Sequence, residues 1–155
     1  MGNLYDDDAI AWAEQQAALL RAGRWELLDI DNIAEEIEDV GKSEKRELRH
    51  RMAVLVEHLF KWRWQPGRRG SSWLTTIRVQ RIDIQKLMRK MPSLKNMMSD
   101  SEFADEVWRD AVVLALKEAE GEIDNLPDSN PWTLHQAMLA DFLPDGEGRD
   151  ANNKL

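Results

Sequence analysis

Acid–base chemistry in this sequence would depend on three histidines, His50, His58 and His135. His58 follows Arg51 by seven residues, which on a helix is nearly two turns, so both side chains project from one side. An imidazole and a guanidinium on one face can act together on RNA. The imidazole serves as acid or base at a ribose 2′-hydroxyl, while the guanidinium stabilises the phosphate.

The same arrangement, Arg51 and His58 with six residues between them, resembles the signature of metal-independent HEPN-type ribonucleases, which are small helical bundles. Such a short motif is expected somewhat under once by chance in this composition. The alternative is that His58 packs at the edge of the core with its ring hydrogen-bonded. His135 falls in a short peripheral helix and is expected to be structural or solvated.

Two spacings suggest metal ligands. Glu47 and His50 have the Glu-x-x-His spacing of carboxylate-bridged di-metal bundles, but those sites need the motif twice and no second copy exists. Glu35 and Asp39 share a helix face at i, i+4 and could hold a divalent cation if further oxygens joined them. The alternatives are a solvated face or pairing with Arg49 and Arg51.

Cysteine-based sites are excluded by composition, and the common phosphate-binding, nucleophile and dinucleotide motifs are missing. The chain has no cysteine, which excludes disulfides, thiolate zinc sites and a catalytic thiol. It also has no Gly-rich phosphate loop, Gly-x-Ser-x-Gly elbow or dinucleotide fingerprint. We therefore expect no cofactor.

Charge is unevenly distributed along the chain. Residues 1–41 carry 11 acids and 2 bases (−9), residues 42–90 carry 4 and 14 (+10), and residues 91–155 carry 14 and 5 (−9). The basic segment either pairs with the acidic ends or faces an external polyanion.

Aromatic and basic residues alternate between residues 61 and 81, a composition suited to single-stranded nucleic acid. Trp62 and Trp73 fall on apolar stripes and are expected in the core, which leaves Trp64 as the exposed stacking platform. The candidate nucleic-acid residues are Lys61, Arg63, Trp64, Arg68, Arg69, Arg78 and Arg81.

Helices must position all of these residues, because apolar residues recur at spacings of three and four and no stretch alternates with period two. We predict a first helix from Asp6–Asp8 to Arg21, a second from Asp29 or Asp31 to a stop or kink at Gly41, and a third from Ser43 to before Pro66. A fourth helix should run from Ser71 or Ser72 to Pro92, and a fifth from Ser93 to Ala119 with a break near 99–101. A short sixth helix should span Thr133 to Leu139. The predicted fold is all-α, a compact bundle of about five helices with long amphipathic central helices.

Length and apolar runs predict a single domain over residues 1–144 and a disordered polar tail over 145–155. The acidic amino terminus lacks the features of a secretory signal. No apolar run approaches the roughly 18 residues that span a bilayer. We expect a cytoplasmic protein with no membrane partner.

The order of polar and aromatic residues along the chain resembles that of a bacterial and cyanobacterial family catalogued as domain of unknown function twenty-nine. The matching positions run from about residue 4 to 144: Tyr5-Asp6, Trp12, Leu20-Arg21, Asp29, Asn32, Ala34 to Glu38, Gly41, Ser43-Glu44, His58-Leu59, Lys61-Trp62, Gln65-Pro66, Arg69, Ser72-Trp73, Thr76-Ile77, Gln80-Arg81, Pro92 to Leu94 and Asp141 to Pro144. The resemblance implies an all-helical fold and a bacterial origin. It supplies no established activity, so it assigns no catalytic residue.

Three functional hypotheses follow. The favoured one is a non-enzymatic interaction protein that binds a protein partner or forms a homo-oligomer. The second is nucleic-acid binding, which requires Arg63, Arg68, Arg69 and Arg78 on one unpaired surface. The third is the ribonuclease, which requires an open cleft beside His58.

Overall fold

The fold is all-α, as predicted. The structure, a computed structural model, describes residues 3–119 and 126–144, and every regular element in those ranges is a helix. The α-helices are α1 (Leu4–Asp7), α2 (Ala9–Arg21), α3 (Ile30–Trp64), α4 (Ser71–Lys90), α5 (Ser101–Ala119) and α6 (Leu134–Ala137). Short 3-10 helices span Trp25–Leu27, Pro66–Arg68 and Pro92–Ser99.

Several helix ends lie where polar side chains predict them. Asp8 caps α2 by accepting from the amide of Ala11 at 3.0 Å, and Thr133 caps α6 by accepting from Gln136 at 3.0 Å. Asp100 separates the 3-10 helix from α5, at the predicted break. The serine cap predicted for α4 is wrong, because Gly70 occupies the N-cap position without a side-chain hydrogen bond.

The predicted stop at Gly41 is wrong, because α3 runs through it for 35 residues. One helical glycine costs only about 1 kcal/mol relative to alanine. Asp39 and Lys42 form an ion pair of 3.3 Å across this position, which supports the local helix. A Cβ added at Gly41 would meet no atom within 4 Å, so the packing does not require a glycine at this position.

The chain divides into two compact units, with the boundary inside α3 between Glu44 and Lys45. The single domain over 1–144 stays a prediction, and the predicted tail at 145–155 lies outside the described residues. The amino-terminal unit holds α1, α2 and the first part of α3. Its only buried residues within the described range are Trp12 and Gln16.

The carboxy-terminal unit contains a large apolar core. α3 contributes Leu48, Met52, Leu55 and Leu59, all fully buried, and the other helices close around them with Ile77, Ile84, Phe103, Val107, Trp108 and Leu134. Residues at i, i+3, i+4 and i+7 of each helix supply this core, as the amphipathic pattern predicts.

Arginines on α3 connect it to the other helices of this unit. Arg49 reaches Asp110 at 2.7 Å and Glu106 at 3.1 Å on α5, and Arg51 reaches Asp83 at 3.2 Å on α4. The suggested pairing of Arg49 and Arg51 with the acidic cluster at residues 35–39 is therefore wrong. Charge on the basic segment is neutralised partly by acids of α4 and α5.

Candidate functional site

The most exposed aliphatic residues lie on the amino-terminal part of α3. Ile30, Ile37 and Val40 are 66%, 67% and 64% exposed. Their separations of seven and three residues place them along one side of the helix, so we call them the apolar stripe. Such a stripe normally packs against a neighbouring element.

Acidic residues surround the apolar stripe. The sequence from Ile30 to Val40 has five carboxylates and no basic residue: Asp31, Glu35, Glu36, Glu38 and Asp39. Glu35 and Glu38 are exposed and form no ion pair within the described ranges. This segment therefore presents aliphatic groups inside a negative field.

Internal contacts of the amino-terminal unit use polar and aromatic groups instead of the apolar stripe. Trp12 Nε1 donates to Asp29 at 3.0 Å, and Gln16 accepts from the amide of Asp29 at 2.8 Å. Tyr5 donates to Glu36 at 2.7 Å, and this bond raises the pKa of Tyr5 to about 12. These bonds fix α1 and α2 against α3 and leave the aliphatic side chains outward.

A second polar site lies in the carboxy-terminal unit, and we call it the carboxylate–lysine cluster: Glu57, Lys61 and Glu118. Glu57 and Lys61 are only 2% and 4% exposed. Lys61 Nζ lies 3.4 Å from Glu57 Oε1, contacts Glu118 directly, and sits 5.0 Å from the centre of the Trp73 ring. One buried ammonium therefore compensates two carboxylates, and Glu57 is the less solvated of the two.

Burial raises the pKa of Glu57 to about 7, aided by the nearby charge of Glu118 and opposed by Lys61. The bond from Lys61 lowers the pKa of Glu118. Together the contacts favour a shared proton on Glu57 while Glu118 stays ionised. Glu57 and Lys61 are removed from solvent, whereas the Glu118 side chain is 56% exposed, so the cluster is a polar network that reaches the surface at Glu118.

His58 and Arg51, the candidate ribonuclease pair, contact different neighbouring residues of the protein. His58 Nδ1 lies 2.8 Å from the Val54 carbonyl oxygen, and its side chain is only 12% exposed. Burial lowers the pKa of His58. Arg51 is bonded to Glu47 at 3.1 Å and to Asp83 at 3.2 Å. The ribonuclease hypothesis requires an open cleft beside His58, and the grooves described in this structure are lined by neither His58 nor Arg51.

The nucleic-acid candidates are not one exposed surface. Lys61 and Arg81 are buried, and Arg69 donates to the Trp62 carbonyl at 2.6 Å with its guanidinium 5.1 Å from the Trp62 ring. Arg68 and Arg78 are exposed, whereas Arg63 is half-buried. The burial of Lys61 and Arg81 speaks against a contact of these two candidates with nucleic acid.

Trp64 is not an exposed platform either. Its ring stacks on Phe60 at a centroid distance of 4.5 Å, and the guanidinium of Arg63 lies 5.2 Å from its centre. It also lies 6.0 Å from Trp132. One face of Trp64 is thus used in core packing, because a helix of this amphipathicity buries position 64 together with 60.

The suggested metal ligands do not assemble into a site. Asp39 pairs with Lys42, and Glu35 belongs to no group of three or more carboxylates or imidazoles that could hold an ion. Across the described parts of the chain, no group of three or more histidine, aspartate or glutamate side chains is arranged to hold an ion. No described helix is long and apolar enough to cross a membrane.

Residues 4–143 match the protein family described as Domain of unknown function DUF29, which covers nearly the whole chain. The chain belongs to this family, as its residue pattern predicts. No curated protein and no solved structure matches it. The class is therefore an all-α protein of a family without an assigned activity.

Sequence reasoning missed the carboxylate–lysine cluster and the exposure of the apolar stripe. The spacing of Glu57 and Lys61 at i, i+4 on the apolar side of α3 is a usable signal, because buried charges come in pairs. Exposure of Ile37 has no such signal, since periodicity identifies an apolar face but not whether another element covers it.

Proposed function

We propose that this protein is a non-enzymatic interaction module whose apolar stripe on α3 binds a basic amphipathic helix of a partner protein. The observation that carries the proposal is the two-thirds exposure of Ile30, Ile37 and Val40 along one side of α3. Scattered exposed aliphatics are ordinary, but an aligned row of three is typical of a docking surface.

Further apolar residues of the same unit support this. Ile10 on α2 is 75% exposed, and Trp25 and Leu27 in the following 3-10 helix are also exposed. Burying an aliphatic side chain of this size contributes about 1.5–3 kcal/mol. The amino-terminal unit thus has exposed apolar surface that its own tertiary contacts leave unburied.

The acidic field favours a basic partner. A second copy meeting the same face would bring another segment of 11 acids and 2 bases against this one, and such like charges repel. Nucleic acids and anionic lipids are disfavoured at this face for the same reason. A helix with leucines at i, i+3, i+4 and i+7 and lysines beside them matches both the stripe and its field.

The proposal can be tested with two designed peptides that share one leucine stripe, one with flanking lysines and the other with flanking glutamates. Calorimetric titration should show binding of the lysine peptide and at least tenfold weaker binding of the glutamate peptide, with affinity falling as salt rises. Ile37→Gln should weaken binding about tenfold, because one central anchor is lost.

Val113→Gln on α5 is the matched control, since Val113 is an exposed aliphatic residue of the other unit. It should leave binding unchanged. Equal binding of both peptides, or no effect of Ile37→Gln, would reject the proposal. A concentration-dependent dimer that Ile37→Gln abolishes would replace the partner protein with a second copy.

A further inference from the structure

A groove of about 420 Å³ lies between α4 and the segment that follows α6. Its apolar walls come from both elements: Leu74, Ile77, Ile82, Met138 and Leu143. Ligand sites of proteins typically enclose about 300–1,000 Å³ and are mainly apolar with a few polar groups. The groove is thus large enough for a small organic molecule.

The polar lining of the groove is predominantly positive. Arg78 and Arg81 line it one turn apart on α4, and Asp141 is the one acidic residue of its described lining. Arg81 is only 7% exposed, and its guanidinium donates to the carbonyl oxygens of Ala137 at 2.9 Å, Ala140 at 3.2 Å and Phe142 at 2.6 Å.

Carbonyl acceptors satisfy the hydrogen bonds of Arg81 but do not neutralise its charge. No carboxylate lies within ion-pair distance of Arg81 among the described residues, and Asp141 acts on it only through its longer-range field. Arg78 is exposed and has no ion-pair partner within the same ranges. Two guanidinium groups and one carboxylate leave a net positive charge beside an apolar wall.

We propose that this groove binds a small amphiphilic monocarboxylate, with its carboxylate on the Arg78 guanidinium and its apolar chain against Leu74, Ile82 and Leu143. Arg78 is the anion-binding group because its donors are available and its planar fork matches a carboxylate. Buried Arg81 reinforces the positive field without leaving its carbonyls. Asp141 disfavours more highly charged anions such as phosphate esters.

Octanoate, octanol and octylammonium are suitable probes, because they share one chain and differ in head-group charge. Amide chemical shifts measured by NMR should move with octanoate at residues 74–85 and 138–143, and move much less with octanol or octylammonium. Arg78→Gln should weaken octanoate binding about tenfold. Arg89→Gln, an exposed arginine of the same helix outside the groove, should leave it unchanged.

Ile82→Gln provides a second variant that is safe for folding, since Ile82 is 44% exposed. It should weaken octanoate binding by removing apolar contact while the charged contact remains. Octanol binding as tight as octanoate, an unchanged affinity of Arg78→Gln, or shifts confined to other helices would each overturn the proposal. This site lies in the carboxy-terminal unit, so its test is independent of the peptide experiment.

Discussion

Lys61 Nζ lies 3.4 Å from Glu57 Oε1, one turn away on α3, with both side chains removed from solvent. Glu118 of α5 completes the group from a position 57 residues further along the sequence. Buried ion pairs contribute little net stability, but removing one member leaves an uncompensated charge. The cluster therefore makes the packing of α3 against α5 sensitive to single substitutions.

Lys61→Met should destabilise the protein by about 3–5 kcal/mol at neutral pH, because Glu57 and Glu118 then face each other without the ammonium. Urea unfolding measured by circular dichroism tests this. Adding Glu57→Gln to Lys61→Met should recover part of the loss. The exposed Lys95→Met serves as the control and should change stability by no more than about 0.5 kcal/mol. A similar small loss for Lys61→Met would contradict the buried arrangement.

The raised pKa of Glu57 predicts a pH-dependent difference between the protein and Glu57→Gln. A carboxyl whose pKa is higher in the folded state stabilises the fold below its unfolded value, and this contribution is lost as pH rises through the folded value. Glu57→Gln should therefore gain stability relative to the unmodified chain between pH 4.5 and about 7. The gain should be on the order of 2 kcal/mol.

Denaturant midpoints at pH 5 and pH 8 measure this gain. His58 and Glu118 also titrate near the cluster, with lowered pKa values and hence the opposite pH dependence, but both remain in the variant. The contribution of His58 largely cancels in the difference between the two proteins, whereas Glu118 is bonded to Glu57, so any change in the Glu118 pKa is part of the measured difference. Glu102→Gln on the exposed side of α5 is the control. A difference that is constant with pH would refute the raised pKa.

Arg81→Met should release the segment that follows α6, because three carbonyl bonds are lost together. The expected destabilisation is at least about 4 kcal/mol, since hydrogen bonds with a charged donor contribute about 1.5–3 kcal/mol each. Hydrogen exchange should accelerate at residues 134–142 more than within α3. If exchange there matches that of the Arg89→Met control, Arg81 does not anchor the segment.

RNA cleavage should be absent. His58 Nδ1 lies beside the Val54 carbonyl and Arg51 is bonded to carboxylates, so both groups already have partners within the fold. A fluorescent single-stranded RNA incubated with the protein in EDTA should stay intact, as it does without protein. Cleavage that His58→Asn abolishes would restore the ribonuclease hypothesis.

Local patterns in the sequence determined much of the fold. The helix break at Asp100 and the caps at Asp8 and Thr133 follow from side-chain chemistry within a few residues. The environment of Lys61 does not, because its burial depends on Glu118 and Trp73, which come from other helices. From the sequence alone, a charged residue on a helix is expected to be exposed, and only the packing of other helices shows that it is buried.

Arg81 and the apolar stripe both show that burial cannot be predicted from local sequence: Arg81 is a buried charged residue, and the stripe consists of exposed aliphatic residues. Arg81 reads as a surface base in the sequence, but the carbonyls of residues 137–142 compensate its burial. Ile37 and Val40 share the apolar side of a predicted helix, yet they are exposed. The hydrophobic pattern identifies a face that favours burial, and only the tertiary structure shows what covers it.

If the acidic field around the apolar stripe selects a basic helix, reversing the charge of that field should reverse the preference between the two peptides. Glu35→Lys combined with Glu38→Lys changes two exposed carboxylates without touching Glu36 or Asp39, which have partners in the unit. Calorimetric titration should show this variant losing affinity for the lysine-flanked peptide and gaining affinity for the glutamate-flanked one. A variant that keeps the original preference would show that the acidic field does not select the partner.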